Sequence, residues 1–486
     1  MKERSIISLF TQAGSRIAVL GLGISGVETA KFLLRRGCYP ICFEGQSEER
    51  FKGRSGLVVE VEELQRSGAT IIFGVEGSDI VPHLSGVVGA VISPGVPLKG
   101  QMAQSFLSLG IPVIGEFELG IALSGVASVI VTGSNGKSTT VSLLHAAWEE
   151  SEKRSLLCGN VGIPVIASAD TDEKYEVVVG EASSYQLESC SILCPDVGIF
   201  LNLSENHLER HGTMEGYRGA KLRLFGQHDS SKIAVLNYDD PLVRSASSEI
   251  ESSIVWFGRE INSDAQGVII EYDRERGLDR LQYRIGDNNG FVDLTGSQLI
   301  GLHHRYNAAA ALAAFLSMKG DLNAFERAVR SFAGLPHRTA IVGQWGASVV
   351  INDSKSTTPA ATEAALQSVG AEYPRHAITL LIGGAVKAGS WSSVFAAILK
   401  ERERREVRVV CFGRDGSKLR KDGEDFGVSS DYFSTVADAL AALSDFSDNP
   451  EIILFSPGAA SFDEFRDFED RGERFSQLIL ERFQIN

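Results

Sequence analysis

The sharpest chemical signal in the chain is the run Val131-Thr132-Gly133-Ser134-Asn135-Gly136-Lys137-Ser138-Thr139. An apolar stretch enters a glycine-bearing loop, the loop closes on Gly-Lys-Ser-Thr, and a helical pattern follows. Successive backbone N–H groups in such a loop form a nest for phosphate oxygens. Lys137 then reaches the β- and γ-phosphates, and the Ser138 hydroxyl suits Mg2+. Val131 stands where the strict pattern has its first glycine, so this is a variant P-loop; its bland counterpart is a solvated glycine turn.

Downstream, Glu181-Ala182-Ser183-Ser184-Tyr185-Gln186 closes a strongly apolar run, and Asn202-Leu203-Ser204-Glu205-Asn206-His207-Leu208-Glu209-Arg210-His211-Gly212 closes another. A carboxylate at a strand's C-terminal end beside a P-loop can ligate Mg2+, although most such glutamates are surface residues. His207 alone reads equally as a cap, and Lys221 as a solvated lysine. Two loops after adjacent parallel strands converge on one crevice, which favours a shared role. Nearer the N-terminus, Gly21-Leu22-Gly23-Ile24-Ser25-Gly26 follows one strand pattern and opens a helix. It fits either a nucleotide diphosphate or a tight structural turn. Glu44 ends the next strand, where a carboxylate can accept from a sugar hydroxyl.

The elements that must position these residues alternate between short β-branched runs and amphipathic helices, the pattern of a parallel α/β sheet. Strands are expected at 16–20, 39–44, 56–61, 70–74, 90–94 and 112–116, then at 128–132, 176–180, 197–203 and 233–237. Runs at 253–258, 267–272 and 281–285 read as antiparallel strands, followed by an Ala-rich helix over 306–318. A third α/β unit has strands at 348–352, 377–383, 407–412 and 452–455 and a closing helix over 462–483. The 486 residues suit about three domains at ~150 residues each, with boundaries near 122 and 334. Composition excludes several classes. Hydrophobic residues at 43% and charged residues at 22% argue against wholesale disorder, and a net charge of -15 argues against nucleic-acid binding. Six cysteines without a C-x-x-C pair suit buried thiols in a reducing compartment. The absence of a signal-peptide core or a run of ~20 apolar residues points to a cytoplasmic protein without membrane partners.

Taken in order, these motifs, with Leu335-Pro336-His337-Arg338, Asn352-Asp353-Ser354-Lys355-Ser356-Thr357 and Ser456-Pro457-Gly458-Ala459-Ala460-Ser461-Phe462-Asp463, resemble the Mur ligases of bacterial cell-wall synthesis. The likeness runs from Gly21 to Phe475, apart from roughly 243–300. It implies an N-terminal Rossmann-like domain (1–122) for a UDP-sugar and a central P-loop ATPase-like domain (123–334) with a small antiparallel part. The third domain (335–486) is Rossmann-like and binds the amino acid. The Glu181-x-Ser-Ser motif and the Ser461-Phe462-Asp463 run resemble the D-glutamate-adding branch. The implied substrates are UDP-N-acetylmuramoyl-L-alanine, D-glutamate and ATP, the reaction proceeds through an acyl phosphate, and the enzyme is a monomer.

The resemblance also carries residue roles. Ser138 and Glu181 resemble the ligands of a first Mg2+, and His207 and a carbamylated Lys221 those of a second. Gly133, Ser134, Asn135, Gly136, Lys137, Ser138 and Thr139 resemble the phosphate loop, with Asn307, Arg338, Asp353 and Lys355 completing the ATP contacts. Ile24, Ser25, Glu44, Ser93 and Gly95 resemble the uridine diphosphate site. Asn160, Ser183 and His207 resemble contacts to the muramoyl-alanine arm, and Thr357, Lys387, Ser461, Phe462 and Phe468 the D-glutamate pocket. Five positions depart from the family pattern: Gly45 after the acidic residue, Asn206 for Asp, His304 for Asn, Thr358 for Asn and Ala385 for Asp. Three other readings compete: a sibling ligase such as a folylpolyglutamate synthase, a nicotinamide-dependent oxidoreductase built on the first glycine loop, and a non-catalytic nucleotide-binding scaffold.

Overall fold

Twenty strands alternate with helices and sort into three sheets in a computed structural model that describes residues 2–53, 56–169, 174–262, 264–273, 276–386, 390–443 and 449–483. The first sheet holds β1 (Arg16–Leu20), β2 (Tyr39–Glu44), β3 (Thr70–Phe73), β4 (Val87–Ile92) and β5 (Val113–Gly115) in the order β3-β2-β1-β4-β5. Every pairing in it is parallel. Helices cover both faces of such a sheet, so its strands read as near-continuous apolar runs. β1 is accordingly buried from Ile17 to Leu20.

The second sheet contains β6 (Ala127–Thr132), β7 (Ser155–Gly159), β8 (Val177–Glu181), β9 (Val197–Phe200), β10 (Ile233–Asn237), β11 (Ser253–Gly258), β12 (Gly267–Asp273), β13 (Leu278–Ile285) and β14 (Asn288–Asp293). Its order is β14-β13-β12-β11-β10-β9-β6-β8-β7. β6 pairs in parallel with both β8 and β9, so the loops after these three strands leave one edge side by side. The third sheet holds β15 (Ala340–Trp345), β16 (Ser348–Asn352), β17 (Ala377–Gly383), β18 (Val407–Phe412), β19 (Asp431–Phe433) and β20 (Glu451–Gly458), in the order β15-β16-β20-β17-β18-β19. Only β15 runs antiparallel there. Alternation along β17 puts Leu380 and Ile382 in one core and Leu381 in the other, as a period of two requires.

Residue contacts divide the chain into two compact units. The first comprises Met1–Glu271, Leu281–Asp293 and Tyr306–Ala328, and the second Tyr272–Arg280, Leu294–Arg305 and Val329–Asn486. Among the described residues no helix is long and apolar enough to cross a membrane. None of the six cysteines is joined in a disulfide.

The structure corrects the sequence reading in four places. Residues 57–66 form a helix, Leu57–Arg66, rather than a strand. Val61 and Leu64 are buried on one helical face while Val59 is exposed, so the apolar run follows a helical period. β11 and β12 are parallel partners, and β11 is parallel to β10 as well. Gly267 pairs level with Trp256, so β12 starts near the far end of β11 and the short link 259–266 need not retrace the whole strand. β13 is followed in the sheet by β14, a strand the sequence reading did not include, and the two are joined across Gly286-Asp287 with Gly286 at φ 60°. The Ala-rich helix starts early, at Leu302, and the closing helix starts late, at Phe468. In the second case Ser461 O accepts from both Glu464 N and Phe465 N, so a turn occupies the stretch before it.

Candidate active site

The P-loop leaves β6 at Thr132 and turns into the helix Lys137–Glu150 at Gly136. Gly136 has φ +85°, and a Cβ there would lie 2.2 Å from Asn307 Oδ1. Only glycine lets the loop and the Asn307 side chain meet so closely. Gly136→Ala is therefore expected to cost about 1–2 kcal/mol from the left-handed backbone alone, with the clash in addition. Its unfolding midpoint in urea should fall below wild type. The loop is held from the neighbouring strand end: Ser134 N donates to Asn202 O (3.0 Å), Asn135 N to Asn202 Oδ1 (2.8 Å) and Asn202 Nδ2 to Asn135 O (3.1 Å). Ser134 Oγ also meets Tyr217 Oη at 3.2 Å. Lys137 Nζ folds back onto Gly133 O (2.8 Å) and Ser134 O (3.0 Å). Ser138 and Thr139 lie buried in the first helical turn.

Lys221 reaches the same loop from the helix Met214–Leu222. Its Nζ is buried, donates to Gly133 O at 2.8 Å and lies 4.7 Å from the Tyr217 ring centre, one helical turn back. Burial pushes this amine well below the usual lysine range, the Lys137 charge adds to the shift, and Glu181 opposes it. Glu181, the last residue of β8, is buried; its Oε1 accepts from Asn160 Nδ2 at 2.7 Å and its Oε2 has no hydrogen-bond partner. A buried carboxylate oxygen without a donor is costly, and a cation removes that cost. No group of three or more His, Cys, Asp or Glu side chains is assembled for a metal among the described residues. The donor set present is a carboxylate and a hydroxyl, to which phosphate oxygens and water would be added. That set suits Mg2+.

Ser183 caps the helix Ser184–Glu188 and is tied up in a capping box with Gln186. His207, at φ 55°, precedes the short helix Leu208–His211, and its Nδ1 lies 3.1 Å from Tyr185 Oη. The Arg210 guanidinium lies 4.9 Å from the Tyr185 ring centre, pairs with Glu188 at 2.8 Å and donates to Val96 O at 3.1 Å. In this way Arg210 joins the loop after β9 to the loop after β4, which carries Ser93 and Gly95. Around the first glycine loop, Glu44 accepts from Leu22 N (3.0 Å) and Gln46 N (3.1 Å), while Ser93 Oγ donates to Gly21 O (3.0 Å). A Cβ on Gly26 would lie 1.9 Å from Gly21 O, so the third glycine is needed for close packing. Ile24 is 66% exposed at the mouth of this loop.

The second unit assembles its own cluster. Asp353 is buried and accepts from Thr339 N (3.0 Å), Ser456 Oγ (2.8 Å) and Ser356 Oγ. Burial raises its carboxyl to about 6. With these acceptors engaged, Asp353 fixes the turn that carries Arg338 and Lys355. Lys355 Nζ sits 3.6 Å from the Phe468 ring centre. Ser461 is buried, Thr357 half-buried and Phe462 73% exposed. Lys387 lies outside the described residues. Arg471 went unremarked in the sequence. It is fully buried and donates to Ser354 O (2.7 Å), Ser354 Oγ (3.0 Å) and Ala459 O (2.9 Å), so it ties the segments carrying Thr357 and Ser461 to the last helix. Asn202, Tyr217 and Arg210 were also missed as loop-holders. All three sit within or beside the quoted motifs, so their spacing offered a signal that their residue types did not.

A P-loop, a buried lysine and a strand-end carboxylate on one edge of a parallel sheet define a phosphoryl-handling nucleotide enzyme. Residues 131–315 match the Mur ligase middle domain. The chain is 32% identical over 478 residues to UDP-N-acetylmuramoylalanine--D-glutamate ligase of Pelotomaculum thermopropionicum, covering 96% of this chain and 97% of that one. It is 33% identical to the ligase of the same name from Ruegeria pomeroyi, covering 97% and 98%. The fold matches that of the MurF ligase from Thermotoga maritima in complex with ADP, with a TM-score of 0.57, 17% identity and coverage of 98% and 99%. The chain belongs to the Mur ligase family, whose members are ATP-dependent.

Proposed function

We propose that this chain joins D-glutamate to the alanine carboxyl of UDP-N-acetylmuramoyl-L-alanine, using ATP, as a cytoplasmic monomer. The observation that carries this reading is the meeting of Lys137, Lys221 and Glu181 at one strand edge, in a chain matched end to end by D-glutamate ligases. Residues 1–122 hold the uridine diphosphate through Ile24, Ser25, Glu44, Ser93 and Gly95. Residues 123–334 hold ATP and the reacting carboxylate, with Asn160, Ser183 and His207 on the muramoyl-alanine arm. Residues 335–486 add Arg338, Asp353 and Lys355 toward ATP, and Thr357, Ser461, Phe462 and Phe468 toward D-glutamate.

The alanine carboxylate takes the γ-phosphoryl group from ATP, giving an acyl phosphate and ADP. The D-glutamate amine attacks the acyl carbon, and the tetrahedral adduct expels phosphate and loses a proton. Lys137 leaves its carbonyl partners to meet the β- and γ-phosphate oxygens, placing a cation where negative charge develops. Ser138 and Glu181 would hold one Mg2+ and His207 and Lys221 a second, and the ions would supply further charge neutralisation. At Lys221 burial lowers the proton affinity and so favours the neutral amine, and a neutral amine adds CO2 to give a carbamate with release of a proton. The amine next to Lys137 then becomes an anionic ligand.

This order of events requires phosphate release to depend on all three substrates. Omitting D-glutamate should reduce steady-state phosphate release to background, as should omitting UDP-N-acetylmuramoyl-L-alanine. Sustained release from ATP alone would contradict the reading. Among the competitors, the oxidoreductase has no use for a P-loop beside Glu181, and an inert scaffold would show no release at all.

A further inference from the structure

The Arg210 side chain leaves the four-residue helix Leu208–His211 and meets the segments that follow β8 and β4. Its Nε donates to Glu188 Oε2 at 2.8 Å, and its guanidinium lies 4.9 Å from the Tyr185 ring centre. Its Nη2 donates to Val96 O at 3.1 Å and reaches Pro94 O at 3.5 Å, in the turn after β4. The Arg210 and Glu188 side chains are 14% and 13% exposed, so this pair lies largely out of water.

At each end of this tie stands a group assigned above to the same substrate. The turn after β4 is fastened to the first glycine loop, where Ser93 Oγ donates to Gly21 O at 3.0 Å. The other end reaches His207, whose Nδ1 lies 3.1 Å from the Oη of the same Tyr185. Each loop is also held without Arg210. Ser93 N donates to Leu20 O and Val96 N to Ser93 O, both at 3.0 Å. On the other side Leu203 N donates to Asp240 Oδ2 at 2.8 Å and Ser204 N to Ser134 Oγ at 2.9 Å. What Arg210 adds is the spacing between the two loops. A planar fork serves a carboxylate, a carbonyl and a ring face together, which the point charge of a lysine does not.

We propose that Arg210 is a positioning residue that couples the diphosphate end of the UDP-sugar site to the His207 loop, so that binding at the uridine end sets the place of the reacting alanine carboxylate. This rests on the reading of Ser93 and Gly95 as diphosphate contacts and of His207 as a contact to the muramoyl-alanine arm. Binding energy from a remote part of a substrate speeds the reaction when the protein carries it to the reacting centre. The route is short here: Gly21, the 93–96 turn, Arg210, Tyr185 and His207.

Hydrogen exchange read by mass spectrometry reports this coupling without turnover. UDP is the probe, and ADP and Mg2+ are present throughout to fill the P-loop. The amides of Arg210 and His211 donate to His207 O at 3.1 Å and that of Gly212 to Leu208 O at 2.8 Å, so their exchange follows opening of this loop. In wild type UDP should slow exchange in 20–26 and 93–97, and also in 207–212, there by about fivefold or more. In Arg210→Lys it should slow exchange in the first two segments only. The same variant should lose about 10- to 100-fold in kcat for amide formation while its affinity for UDP stays close to wild type. Protection of 207–212 by UDP in Arg210→Lys overturns the proposal, as does its absence in wild type when 20–26 is protected. A loss of kcat matched by an equal loss of UDP affinity, the mark of a damaged uridine site, also overturns it. Should Arg210→Lys fail to fold, Arg210→Met combined with Glu188→Gln strands no charge and carries the same test. UDP that protects none of the three segments in wild type removes the diphosphate reading itself, and the coupling with it.

Discussion

Lys137→Ala is expected to abolish ATP turnover in a protein that still folds. In the structure Lys137 Nζ is bonded to two carbonyls of its own loop, Gly133 O and Ser134 O. Those bonds are local, and the loop is held independently by Asn202 and by the Ser134–Tyr217 contact. Losing the ammonium therefore costs the fold little. Losing the same cation at the transferring phosphoryl group is worth several kcal/mol, or about 10³-fold in rate. Phosphate release should fall by that factor while the urea midpoint stays close to wild type. Wild-type turnover by the folded variant would overturn the P-loop assignment.

The second large effect is expected at Lys221, which should work as a carbamate. Lys221→Ala should be nearly inactive and partly rescued by a short carboxylate such as acetate or propionate, which restores a negative oxygen ligand beside His207. Lys221→Arg should be neither active nor rescued, because its permanent cation sits next to Lys137 and opposes a metal ion. The neutral amine that carbamylation needs arises from burial, which lowers the Lys221 pKa. The neutral amine is therefore more available than in an exposed lysine, and the carbamate should be lost as pH falls and protonation competes. Stripping CO2 from wild type should reduce activity, and bicarbonate should restore it. Full activity of Lys221→Ala without added acid would remove this residue from the mechanism.

Much of this site was legible in the sequence because its chemistry is local. The Gly-Lys-Ser-Thr turn, Glu181 at a strand end and the His207 loop each announce a strand followed by a phosphate- or metal-facing turn. β6, β8 and β9 pair as that reading requires. The helix Leu57–Arg66 was misread because Leu57-Val58-Val59 is as β-prone as it is helical, and only the burial of Val61 and Leu64 decides. The parallel sense of β11 and β12 depends on a register offset between strands, which composition does not encode. Arg471 was illegible for a different reason. It acts on Ser354, 117 positions away, so the pairing has no local pattern.

The most direct test of the central claim is amide formation from UDP-N-acetylmuramoyl-L-alanine and ATP with a panel of acceptors, the product identified by mass. D-glutamate carries two carboxylates and one reacting amine, so its pocket must hold both anions while leaving the amine free. Thr357 and Ser461 offer hydroxyl donors for that task, and Phe462 and Phe468 can exclude water. D-glutamate should be joined far faster than L-glutamate, D-aspartate or L-lysine. Preferential use of L-lysine or another diamino acid would contradict the assignment.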